Sequence, residues 1–416
     1  MNHPRRIDVD TPSIMFSALT TRRWGRTFRL SAALDRDVDP AILAAAVRAT
    51  LPAFPNMRLT LRRGFFWAKQ TVSDAMPEMR TPEGKTLCPI TSEYRDLPNF
   101  RLVYDGPELI LESAHTQGDG RGHLRFFAAL LDVYARILNG EDVGEVPQKP
   151  GVMENAFVRH YDKHGDRSVP KLSKAFRFPE ACEDDYISLS YAETDEAAVH
   201  ALAHGAGLTV TQYLVAAVIL AAIRTSDEPV RLPVRVSVPV DLRRFYPSGT
   251  CRNFAIEVPV AFDPQGRTDL TLSDVIEGVR GRLPAQLTKD CLSRQINRFV
   301  SLTKNPVLYA VPYFIKKPVL GVLQKNSHRA FTTIFTNLGE KKLPPNAAAI
   351  VKRLRFVNGD TRRYALPVTV SCVSCAGRLS VCFTAANRDA RFFNAFVAVL
   401  REAGLNADTE IVEGAC

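Results

Sequence analysis

The stretch Ser113-Ala114-His115-Thr116-Gln117-Gly118-Asp119-Gly120 joins two runs of different periodicity. Before it, Glu108 to Ala114 alternate as the residues of a strand do. After it, Leu124, Phe127, Ala128, Leu131, Ala135 and Leu138 recur at three- and four-residue steps, the spacing of one helix face. His115 therefore falls at a strand end, in a glycine-rich turn, just ahead of a helix N-terminus. Such a turn suits chemistry. Rigid elements fix its backbone, glycines admit a close ligand, and the helix N-terminus favours negative charge. A lone His-x-x-x-Asp also fits a surface histidine or a hydrogen-bonded core histidine. The following Gly120 and the strand-turn-helix setting strengthen the functional reading.

At 416 residues, 46% hydrophobic and 24% charged, the chain has an ordinary globular composition. Its length predicts two domains or lobes. The formal charge is +10, yet no block of five or more Lys/Arg occurs. The basic residues are scattered, as at Arg22-Arg23, Arg243-Arg244, Lys316-Lys317 and Arg362-Arg363. With no recognisable binding module, no nucleic-acid partner is expected. A phosphate-bearing small ligand such as coenzyme A suits this balance, and so does ordinary surface charge. The opening residues contain no apolar signal-peptide core. The longest apolar run, 214–223, is too short to span a bilayer. The expectation is a cytoplasmic protein with no membrane span. Eight cysteines occur without a framework spacing. Cys372 and Cys375 lie on an alternating stretch, where residues three apart face opposite ways, so reduced structural thiols are expected. His200-x-x-x-His204 has the spacing of one helix face but no third ligand in sight, and no metal site is expected.

The first half of the chain predicts a strand over 26–34, then a helix opened by Asp39-Pro40 and ended by Pro52 and Pro55. Short strands are expected at 59–61 and 65–67 around Gly64, and a hairpin from 100–104 and 109–114. Phe65, Phe66 and Trp67 suit either core or a channel wall. The helix after the motif stops at Asn139-Gly140. His123, in its first turn, is expected at the surface or as a capping partner. Residues 141–185 are polar, contain proline and are weakly periodic, as a connector is, which divides the chain into lobes 1–180 and 181–416. In the second half, strands are expected over 186–191, 234–240, 254–260, 331–336, 351–357, 368–375 and 379–384. Helices follow Thr194 and Thr209, occupy most of 271–325 and close the chain over 390–403. The helix opened by Thr209 is apolar on most faces and so belongs inside. Interleaved strands and helices give an α/β or mixed α+β class.

Three separated pieces complete a pattern. They are His115-Thr116-Gln117-Gly118-Asp119-Gly120, then Val238-Pro239-Val240-Asp241-Leu242-Arg243 with Asn253 ten residues later, then Phe335-Thr336-Asn337-Leu338-Gly339. In this order they resemble the CoA-dependent acyltransferase superfamily. It includes chloramphenicol acetyltransferase, alcohol O-acetyltransferases, polyketide-associated acyltransferases and peptide-synthetase condensation domains. Leu51-Pro52-Ala53-Phe54-Pro55 and Gly64-Phe65-Phe66-Trp67 are similar to the N-terminal lobe of bacterial alcohol-acetyltransferase-like members. The resemblance covers essentially the whole chain.

It implies a two-lobed pseudo-dimer, each lobe a mixed sheet flanked by helices, with a channel between the lobes. Donor and acceptor would enter from opposite mouths. His115 takes the catalytic position of the family's His-His-x-x-x-Asp-Gly motif, whose first position here is Ala114. The resemblance makes His115 the general base for direct attack of an alcohol or amine on an acyl thioester. A His115–Asp119 pair of triad type is the competing arrangement. The family pattern instead sets Asp119, followed by Gly120, against Arg243 of the other lobe. Thr336 or Asn337 is implied as oxyanion donor, though a strand-ending turn explains that segment too. Asn253 is implied as channel support. Acyl-CoA is the implied co-substrate, with no permanently bound cofactor. A carrier-protein phosphopantetheine acting in trans, or a catalytically silent ligand-binding relative, are the alternatives. A monomer is the default. Acyl length and acceptor identity are not readable.

Overall fold

The computed structural model of the chain describes residues 6–19, 27–62, 64–82, 90, 97–143, 146, 152–179, 182–183, 186–359 and 366–415. Arg22-Arg23 and Arg362-Arg363 lie outside the described residues. The fold is mixed α/β, with two large sheets flanked by helices. The first sheet has the strand order Val351–Asn358, Thr27–Leu34, Glu108–Ala114, Phe100–Asp105, Glu78–Arg80. All neighbours are antiparallel except the last pair. Its far edge, Val351–Asn358, comes from the second half of the chain.

Register explains the two faces of this sheet. Phe356, Leu30, Leu111 and Leu102 stand opposite one another across four strands. All four are buried in the core under the helices Pro40–Thr50 and Gly120–Leu138. One residue along, side chains point to the other face. There Glu112 stands opposite Arg29 on one neighbour and Arg101 on the other. Its carboxylate accepts from Arg29 Nη2 at 2.6 Å and from Arg101 Nε at 2.5 Å. All three side chains are buried. Nearby, Val357 packs with Ile187, Leu189 and Tyr191 of the second sheet.

The second sheet has seven strands in the order Ala255–Phe262, Val234–Asp241, Thr333–Glu340, Val368–Cys375, Arg378–Ala385, Tyr186–Asp195, Asp408–Ala415. Its core holds the helix Val210–Arg224, opened by a capping box of Thr209 and Gln212 and buried along most of its length. Cys372 packs into this core, whereas Cys375 packs into the core of the first sheet, as their opposite facing requires. Among the described residues, no single helix is long and apolar enough to cross a membrane.

Several places differ from the sequence reading. No strand forms at 65–67. Gly64 N–H donates to the Trp67 carbonyl at 3.0 Å, which closes a turn, and the strand partner of Leu59–Arg62 is Lys69–Val72. A helix at Thr11–Leu19 was not anticipated, although Asp10 ahead of Thr11-Pro12 is a start signal like Asp39-Pro40. The strand Asp408–Ala415 was missed because most of its described side chains are exposed and it carries no apolar alternation.

Removing the Glu112 carboxylate takes a shared buried anion from two buried guanidiniums. Glu112→Ala is expected to lower unfolding free energy by about 3–5 kcal/mol in urea titrations. A loss under about 1 kcal/mol would mean that the triad is as well hydrated as a surface pair.

Candidate active site

The strand Glu108–Ala114 delivers His115 to its C-terminal end, and a turn closed by Gln117 N–H on the Ala114 carbonyl redirects the chain. Gln117 anchors that turn from inside. Its amide donates to the carbonyls of Met57 and Leu59 at 3.2 and 3.0 Å. Asp119 then caps the helix Gly120–Leu138, accepting from Gly122 N–H at 2.9 Å.

The other Asp119 oxygen reaches the second lobe. It accepts from Arg243 Nη1 and from Phe254 N–H, each at 2.9 Å. Burial alone would push this carboxyl up, but the Arg243 guanidinium and the N–H groups of Phe254 and Gly122 outweigh it and hold it below the usual carboxylate range. Arg243 is equally committed. It also binds Asp241 Oδ1 at 2.9 Å and donates to the carbonyls of Thr250 and Arg252 at 3.0 and 2.6 Å. Close approach makes this junction possible. A Cβ at position 118 or 122 would stand 2.8 or 2.6 Å from the Cys251 carbonyl oxygen, so both positions require glycine. At Gly120 a Cβ would stand 2.9 Å from Leu338 of the second sheet.

His115 meets Asn253, not Asp119. Its Nδ1 lies 3.2 Å from Asn253 Oδ1. The orientation of that amide follows from its surroundings. Asn253 Nδ2 donates to the His115 carbonyl at 2.9 Å and to the Asp10 carboxylate at 3.3 Å, both of which only accept. The amide oxygen must therefore face the ring, so Nδ1 carries a proton, and in the neutral ring the lone pair lies on Nε2. Phe16 and Phe28 flank the imidazole, with ring centroids 4.8 and 5.3 Å away.

Sequence reasoning missed the support behind Asn253. Asp10 and Ser13 lie at the start of the helix Thr11–Leu19. Asp10 stands 3.3 Å from Arg252 Nε, and Ser13 Oγ donates to the Thr116 carbonyl. Arg252 Nη2 donates to Gln70, whose amide in turn donates to the same Thr116 carbonyl. All five side chains are buried. The Asp10-Thr11-Pro12 cap was the available signal. Nothing in the spacing tied it to residue 253.

His123 is fully buried, not at the surface. It lies 2.7 Å from Ser113 Oγ through Nε2 and donates from Nδ1 to the carbonyl of the cap residue Asp119 at 2.9 Å. Burial pushes its imidazole from the ordinary 6.5 down to about 4, against the opposing pull of Asp119.

A cavity of about 810 Å³ opens between the lobes, with His115, Gly120, Asn253, Thr336 and Asn337 in its wall. That volume accommodates a small organic substrate. Thr336 Oγ1 accepts from Asn358 Nδ2 at 3.5 Å, while Asn337 spends its side chain on Thr211 and on Gly339 N–H. Phe65 and Phe66 are exposed at the surface and do not line this cavity. A second cavity of about 580 Å³ adjoins it, sharing Arg121, Asp241, Arg244 and Leu338. Arg125, Lys341 and Lys342 add to its positive lining, against Glu340 and Asp241.

No family model matches the chain, and no curated protein matches it. Solved structures do. Polyketide synthase associated protein 5 from Mycobacterium tuberculosis matches at 16% identity and TM-score 0.63, over 95% of this chain and 96% of that one. The F. graminearum TRI101 structure, a complex with coenzyme A and deoxynivalenol, matches at 12% identity and TM-score 0.65, over 97% and 99%. The first condensation domain of the CDA synthetase matches at 14% identity and TM-score 0.58, over 92% and 90%. These neighbours belong to the CoA-dependent acyltransferase superfamily, and the chain has their two-lobed fold.

Because His123 stays neutral in the folded chain far below its ordinary pKa, the unfolded chain binds more protons between pH 6.5 and 4. Stability is therefore lost as pH falls through that window, by about 3 kcal/mol from this residue. Urea midpoints measured from pH 7 to pH 4 should fall accordingly. His123→Asn should flatten the slope.

Proposed function

We propose that the chain transfers an acyl group from a thioester, with acyl-CoA as donor, to an alcohol or amine, using His115 as general base. The observation that carries this reading is the His115–Asn253 bond. It makes Nε2 the basic nitrogen of the neutral ring, on the wall of a cavity shaped by both lobes. The fold shared with acetyltransferases and condensation domains is consistent with it.

In this mechanism the acceptor's O–H or N–H approaches His115 Nε2. The imidazole takes that proton as the acceptor bonds to the thioester carbonyl carbon. The resulting oxyanion is stabilised by the Thr336 hydroxyl. That group accepts from Asn358, so its own proton is available to donate, whereas the Asn337 amide is engaged elsewhere. The intermediate collapses, the C–S bond breaks, and the leaving thiolate takes the proton from the imidazolium. Asp119 takes no proton in this scheme. Its oxygens are held by Arg243, Phe254 and Gly122, so its role is to join the lobes.

The adjoining cationic cavity favours coenzyme A over a carrier-bound arm. Coenzyme A brings a pyrophosphate and a 3′-phosphate. A phosphopantetheine arm brings a single phosphodiester. Arg121, Arg125, Arg244, Lys341 and Lys342 match the more highly charged donor.

Thiol release from acetyl-CoA and longer acyl-CoAs, with a pooled set of alcohols and amines, tests the chemistry. His115→Ala is expected to lower release by at least about a hundredfold. Unchanged release would exclude His115 as the base. Arg125→Glu with Lys341→Glu is expected to raise KM for acyl-CoA about tenfold or more with little change in kcat, because the contacts are to the non-reacting end of the donor. Transfer from acyl-carrier proteins but not from acyl-CoA would overturn the choice of donor.

A further inference from the structure

Fourteen large apolar side chains are exposed among the described residues, and ten of them fall within two segments, 65–66 and 302–323. On the helix Tyr313–His328, Phe314, Ile315, Val319, Val322 and Leu323 face solvent. The opposite side of the same helix is seated. Tyr313 and Leu320 pack with Met15, Tyr313 Oη donates to the Ser17 carbonyl at 2.6 Å, and Lys316 Nζ donates to the Phe66 carbonyl at 3.0 Å. The two segments form one surface. The Phe65 ring lies 6.4 Å from Phe314, Trp67 lies 6.0 Å from Tyr309, and Lys316 Nζ sits 3.4 Å above the Trp67 ring. An apolar surface of this kind is a binding face.

Charge says what it binds. Between Asp290 and Glu340 the chain contains no acidic residue and seven Lys or Arg. A second copy of the chain would set this acid-free stretch, with its exposed Lys304 and Arg329, against itself, like charge to like charge. A bilayer with anionic headgroups meets both halves of the pattern. Aromatic and aliphatic side chains enter the headgroup boundary while lysines remain at the phosphates. Tyr309, Trp67 and the phenylalanines are the residue types that settle at that depth.

We propose that the surface formed by residues 65–67 and 302–323 docks the protein peripherally on an anionic lipid bilayer. The position matters. The helix Thr11–Leu19 carries Met15 beneath this surface and Pro12 and Phe16 in the wall of the central cavity, with Phe16 against His115. Docking thus sets the cavity one helix away from the lipid. The proposal does not depend on the catalytic reading, and its test uses no turnover.

The test is co-sedimentation of the full chain with phosphatidylcholine vesicles, with and without phosphatidylglycerol. Binding is expected to the anionic vesicles, to weaken at high salt, and to fall at least about tenfold in Val322→Asp/Leu323→Asp. Both positions are exposed, so the fold should survive, and circular dichroism checks that it does. Lys304→Glu/Lys317→Glu keeps the apolar face and should lose binding selectively to the anionic vesicles. Wild-type protein that stays in the supernatant with both vesicle types would overturn the proposal. So would Asp variants that bind as well as wild type. A concentration-dependent dimer by light scattering, without vesicle binding, would assign the face to a second copy and also overturn it.

Discussion

The carboxylate of Asp119 is a buried tie between the two halves of this chain. It is buried, so its charge carries a desolvation penalty that a single partner would offset poorly. It has three donors. One comes from its own helix, and two from the other lobe, Arg243 and the Phe254 N–H. Arg243 is satisfied in turn by Asp241 and by two backbone carbonyls. An ion pair of this kind does not simply add stability. It specifies one relative placement of the lobes, because any slide leaves a buried charge exposed to nothing.

The same short segment that receives Asp119 also orients His115. Across Thr250 to Phe254, one carbonyl binds Arg243, the next crowds Gly118 and Gly122, another carbonyl binds Arg243 again, Asn253 orients His115, and the Phe254 N–H completes Asp119. Lobe registration and imidazole tautomer are therefore set by one stretch of backbone. Asp10 and Ser13 support Asn253 from the start of the helix Thr11–Leu19, and Arg252, next to Asn253 in the chain, pairs with Asp10, so residues 10–13, 115 and 252–253 converge on one amide.

Much of this was legible where the signal is local. The strand before His115, the capped helix after it and the apolar helix behind Thr209 follow from periodicity and capping chemistry that act over a few residues. The pairing of Asp119 with Arg243 was expected only through the resemblance to a family. No local pattern links residues 119 and 243. The support at Asp10 and Arg252 was not legible at all, since a buried acid and a buried base look like surface residues until their neighbours are known. The strand Asp408–Ala415 was hidden for the opposite reason. It is an edge strand, held by backbone pairing to Tyr186–Asp195, and its side chains need no alternation. At residues 65–67 an aromatic run suited core or a channel wall, whereas a tight turn leaves Phe65 and Phe66 exposed and Trp67 half-buried.

The strand Val351–Asn358 has a consequence for how the protein is made. It completes a sheet whose other strands all lie before residue 115. While the ribosome synthesises the intervening chain, the strand Thr27–Leu34 has its partner on one side only, and its other edge is an open ladder of N–H and C=O groups. Closing that edge requires a contact spanning more of the sequence than either lobe's own helices do, and contacts of that separation form late. The first lobe thus waits, unfinished at one edge, for the second to be almost complete. The step most exposed to mispairing, and to help from chaperones, is the arrival of that one crossing strand.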